Sequence, residues 1–88
     1  MKIKNKKQAS LIKEKAIQIT ADLLKAEFEE EFKDNLDLAY EKLFKVSGLF
    51  TKEEMDTILL GENRLFLYEI LMDNSVSEIA AEIRSYLS

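Results

Sequence analysis

The chain has 88 residues, and without Pro, Cys or His it can form no disulfide and no thiolate or imidazole metal site. Its hydrophobic fraction of 47% is enough for a folded domain and argues against disorder, although a chain this short has only a small core. The net charge of −4 is split unevenly: residues 1–15 carry +5, through Lys2, Lys4, Lys6, Lys7, Lys13 and Lys15 against Glu14, while residues 16–88 carry −9.

Apolar residues recur at helical spacing throughout, and the alternation of strands is absent. Residues 1–88 are therefore expected to form a single all-α domain. The expected architecture is a small helical bundle of four to five helices with a long N-terminal helix, preceded by a basic, frayed arm over residues 1–7. That helix is expected to begin near Asn5, which with Gln8 has capping-box spacing, or at Ser10, a simple N-cap. It is expected to run through Phe32 to Asp34-Asn35, two residues that favour caps over helix interiors.

At 1.5 Å per residue, a helix over residues 8–33 spans about 39 Å. A globule of this length is only about 30 Å across. The helix must therefore overhang its domain or bend near its ends. Its apolar residues form two stripes. Ile12, Ala16, Ile19, Leu23 and Ala26 make the first, and Ile17, Ala21, Leu24, Phe28 and Phe32 make the second, on the order of 120–180° away. One stripe can face the core; the other is either wrapped by the remaining segments or left for a partner.

A second helix is expected over residues 36–46, with Leu36, Ala39, Tyr40, Leu43 and Phe44 on one face and Gly48 as a left-handed C-cap. The next start is the clearest local signal in the chain. Thr51 and Glu54 have capping-box spacing, and Phe50 and Met55 are placed as a hydrophobic staple. This short helix stops at Gly61. Asn63 is expected to cap the fourth, whose Leu65, Phe66, Tyr68, Ile70 and Leu71 are apolar nearly all round. That pattern predicts the central, most buried helix. Asp73-Asn74 ends it. Ser75 and Glu78 form a second capping-box pair that opens the last helix, with Val76, Ile79, Ala80, Ile83, Tyr86 and Leu87 on one side.

Little in this sequence points to chemistry. The usual Ser–His and Cys–His nucleophiles are impossible, no glycine-rich phosphate loop exists, and Asp34-Asn35-Leu36-Asp37 lacks the ligand alternation and central Gly of a calcium loop. Paired carboxylates remain, since Glu27, Glu30, Glu31 and Asp34 share a helix face. Such a run is normally solvated, and it could also dock on a basic partner. The segment from Asn74 to Ile83 resembles the first helix of a bacterial helix-turn-helix, which implies DNA binding only if a turn and a recognition helix follow. Just Arg84 to Ser88 do, so a plain amphipathic terminal helix is expected.

The richness in Lys, Ile, Glu and Asn matches an AT-rich bacterium, its phage or its plasmid. The colicin immunity proteins are similar in size, charge and helicity, although their helix-III motif has no counterpart here. The expected function is a non-enzymatic, cofactor-free interaction module, a regulator or inhibitor that binds a protein partner and forms a homodimer through the first helix. Ile12, Ile19, Leu23, Leu24 and Phe28 are the candidate contact residues, and Glu27, Glu30, Glu31 and Asp34 form a candidate acidic face. The alternative is a nucleic-acid-binding accessory protein using Lys2, Lys4, Lys6 and Lys7. No apolar run is long enough to span a membrane, no signal peptide is expected, and the cytoplasm is the expected compartment.

Overall fold

The structure, a computed structural model, describes residues 6–88. These form six α-helices and no strand: α1 (Lys6–Ile19), α2 (Asp22–Glu31), α3 (Leu36–Ser47), α4 (Lys52–Leu59), α5 (Asn63–Leu71) and α6 (Val76–Leu87), with a 3-10 turn at Lys33–Asn35 between α2 and α3. The all-helical reading holds. The single helix expected over residues 8–33 does not, because the chain breaks near its middle and the helix count rises to six. Ser10, a candidate cap, lies inside α1, and Asn5 lies outside the described residues.

The break has a local cause and a global one. Locally, Ile17, Ile19 and Thr20 are β-branched and lose side-chain freedom in a helix. The buried Thr20 hydroxyl also donates to the Ile17 carbonyl at 3.1 Å, offering the backbone an alternative to the helical ladder. Ala21 then takes an extended conformation, φ −73° and ψ 161°, and α2 starts afresh. Globally, a straight helix cannot turn two stripes on different faces toward one core. After the break the chain can: Ala16 of the first stripe is buried in α1, whereas Leu24, Phe28 and Phe32 of the second are buried in and just after α2. Each stripe is core in its own half.

The central helix is α3, not α5. It packs against α1, α5 and α6, and its Ala39, Tyr40, Leu43 and Val46 are all fully enclosed. In α5 the expected all-round burial fails, because Leu65 is exposed while Leu67, Tyr68 and Leu71 are buried. An apolar sequence face shows that a helix can be surrounded; which helix is surrounded depends on how many neighbours reach it. Lys13 lies over the Tyr40 ring, and Ile19 meets Phe44 and Ser47 at a shared cleft, so α1 and α3 run in the same sense.

The two capping boxes form as read. Thr51 Oγ1 accepts from the Glu54 N–H at 3.1 Å, and the Glu54 carboxylate accepts from the Thr51 N–H at 2.9 Å. Ser75 and Glu78 repeat the pattern at 3.2 and 2.8 Å. Other boundary expectations are corrected. Gly48 has φ −68°, so it is right-handed, and the end of α3 tightens through the Leu49 N–H to the Val46 carbonyl at 2.9 Å. Asn63 is the first residue of α5 rather than its cap, and its side-chain Oδ1 accepts from the Tyr86 hydroxyl on α6. The far end of α5 is held from α3: the Lys42 ammonium donates to the Met72 and Asn74 carbonyls at 3.1 and 2.6 Å, where the helix dipole favours a cation.

Because each box satisfies two backbone donors, Thr51→Ala and Ser75→Ala are each expected to lower unfolding stability by about 1 kcal/mol. Urea titration followed by circular dichroism reads this, and an unchanged midpoint in both variants would show that the caps contribute nothing.

Candidate functional site

The five candidate contact residues are not brought together on one surface. Phe28 is fully enclosed and Leu24 is buried, so both belong to the core. Ile12 is half-buried, and Ile19 is half-buried against that core. Leu23 alone stands out, at 83% exposure. The physical reason is the break at Thr20-Ala21. It rotates α2 so that the second stripe turns inward, and Leu23 and Ala26 of the first stripe turn out.

Phe28 is the centre of an aromatic cluster. Its ring stacks on Tyr40 of α3 with centroids 5.1 Å apart and meets Tyr68 of α5 edge-on at 5.6 Å. Phe32 lies 4.8 Å from Phe28 and also meets Tyr68 edge-on at 5.5 Å. The Tyr40 hydroxyl donates to the Glu29 carboxylate at 2.7 Å, and the Lys25 ammonium lies 3.3 Å from the same carboxylate. The Tyr40 bond, assisted by Lys25, holds the Glu29 carboxyl below the ordinary carboxylate value. Burial, followed by the negative Glu29, pushes the Tyr40 phenol well above its ordinary range.

The candidate acidic face divides along its length. Glu27 is half-buried and bound by Arg64 of α5, whose Nε donates at 2.7 Å and whose Nη1 donates to the Gly61 carbonyl at 2.8 Å. This carboxylate raises the Arg64 pKa still further. Glu30, Glu31 and Asp34 are exposed, with Lys33 4.0 Å from Glu30. Glu27 therefore braces α2 against α5, and the other three face solvent. Among the described residues no group of three or more His, Cys, Asp or Glu could hold a metal. Lys6 and Lys7 fall within α1, and Lys2 and Lys4 lie outside the described residues.

A cleft of about 330 Å³ lies where α1, α3 and the start of α4 meet. Ile19, Phe44 and Met55 supply apolar lining, and Gln18, Lys15, Lys52 and Asp56 supply polar groups. Lys52 is paired with Asp56 at 2.9 Å. Sequence reasoning missed this hollow, because its walls come from three segments with no common local pattern. Its nearest signal is Ile19, which helical spacing places in one stripe with Leu23. None of the described helices is long and apolar enough to cross a membrane. Comparison with protein-family models, curated proteins and solved structures finds no match.

The Tyr68 hydroxyl is the one buried side-chain polar atom without a hydrogen-bond partner among the described residues. Burial, with the negative Glu27 next and Arg64 opposing, pushes its pKa from 10.0 up to about 12. The folded state thus favours the neutral phenol. That contribution is fully present below pH 10 and is lost as pH rises toward 12. Tyr68→Phe is expected to be as stable as the parent at neutral pH, or up to about 1 kcal/mol more stable, since an unpaired buried hydroxyl is removed. It should also lose less stability in the alkaline window. Denaturation at a series of pH values, with tyrosinate absorbance alongside, reads both effects. A clear loss at neutral pH would mean that the hydroxyl has a partner after all.

Proposed function

We propose that this chain is a non-enzymatic protein-interaction module, a cytoplasmic regulator or inhibitor that occupies a partner protein and associates with a second copy of itself. The observation that carries the reading is Leu23, a large apolar side chain 83% exposed on an α2 face that also presents Asp22, Ala26 and Glu30. Exposing one leucine is ordinary. This leucine follows a break that turns neighbouring apolar residues inward, and it stands close in the chain to an apolar hollow. The exposed Glu30, Glu31 and Asp34 favour a basic protein surface as the second partner.

Light scattering coupled to size exclusion, at low and high salt, tests self-association. Twice the chain mass at both salt concentrations is the expected result, since apolar contact survives screening of exposed charges. A monomer at every concentration and salt would remove self-association from the reading.

One observation favours a second reading, a nucleic-acid-binding accessory protein. Basic charge is concentrated at the start of the chain, where residues 1–15 carry +5 against −9 over residues 16–88. Phosphate binding by Lys2, Lys4, Lys6 and Lys7 would give that placement a use. Removing residues 1–7 should then abolish binding to duplex DNA in fluorescence anisotropy. The intact chain should lose affinity steeply with salt. Binding that survives the truncation would eliminate the arm as the contact.

A further inference from the structure

Leu23 and the cleft between α1, α3 and α4 are complementary in size and charge and lie close in the chain. We infer that they are the two halves of one interface: Leu23 of each copy seats in the cleft of the other, giving a two-fold dimer. This rests on the self-association reading above and names the surface that performs it.

The size match is direct. The hollow of about 330 Å³ accepts one leucine side chain with room for its flanking backbone, and Ile19, Phe44 and Met55 offer apolar contact. The charge match follows from the uneven distribution along the chain. Leu23 is preceded by Asp22 and shares its outward face with Glu30, so the knob is acidic. The hollow is edged by Lys15 and Lys52. Lys52 already serves Asp56, while Lys15 is exposed and forms no ion pair among the described residues, so it is free to meet the partner's Asp22.

Closeness in the chain favours a closed symmetry. Ile19, which lines the hollow, is only four residues from Leu23, which holds their Cα atoms within about 15 Å. A knob on the far side of the molecule from its hollow would build an open chain of copies. A knob beside its own hollow lets two copies exchange leucines and close.

The absence of Cys from the chain allows a clean test. Leu23→Cys chains are mixed with Gln18→Cys chains, Gln18 being exposed at the cleft, and oxidised gently. The expected result is a mixed disulfide dimer that forms faster than either homodimer. In parallel, sedimentation equilibrium compares the parent with Leu23→Asp. The substitution should raise the dimer dissociation constant roughly tenfold or more. Circular dichroism should remain that of the parent, because Leu23 is outside the core.

A third arm reverses the charges. Asp22→Lys should weaken the dimer, and Asp22→Lys combined with Lys15→Asp should restore it. A parent dimer that tolerates Leu23→Asp, or one that links Leu23→Cys chains to each other in preference to the mixed pair, overturns this seat and leaves self-association standing. A monomeric parent overturns both.

Discussion

The ring of Phe28 holds three helices to one another, and the rest of the fold depends on its reaching the core. It stacks on Tyr40 of α3, meets Tyr68 of α5 and touches Phe32 beyond its own helix. Full burial of such a side chain contributes roughly 1.5–3 kcal/mol, and well-oriented aromatic pairs add to that. For a chain of this length, whose whole stability is a few kcal/mol, that is a large share. The break at Thr20-Ala21 makes it possible. Without that break Phe28 and Ala16 would occupy different faces of one rod, and only one of them could reach the core.

The same reversal brings the basic start of the chain against its acidic continuation. Tyr40 is where they meet. Its ring receives Lys13 at 5.9 Å, while its hydroxyl donates to Glu29. A cation, an aromatic face and a carboxylate from α1, α3 and α2 are thereby joined through one side chain. Two further polar ties hold the opposite side: Arg64 binds Glu27 across α2 and α5, and Lys42 closes the end of α5 from α3. The exposed ion pairs at i, i+4 spacing, such as Lys45 with Glu41, add little beside these.

The outward face of α2 is a consequence of that inward turn. When Leu24 and Phe28 are carried into the core, Leu23 and Ala26 have nowhere to go but solvent. The exposed leucine and the acidic neighbours it keeps follow from one local change of direction. This links the folding constraint to the interaction reading: a bend that is needed to fill a small core leaves an apolar residue outside it.

Much was legible in the sequence because it was local. Helical periodicity sets the class, and the spacing of Thr51 with Glu54 and of Ser75 with Glu78 sets two helix starts, since a capping box needs only four consecutive residues. Tertiary structure decided where the first apolar stretch breaks, because no Gly or Pro marks it and the weak local preference at Ile17 to Thr20 becomes a break when two stripes must share one core. It also decided that α3 rather than α5 is surrounded, and that Phe28 and Leu24 are core while Leu23 is surface. Those outcomes depend on contacts between residues far apart in the chain, and neither periodicity nor composition carries that information.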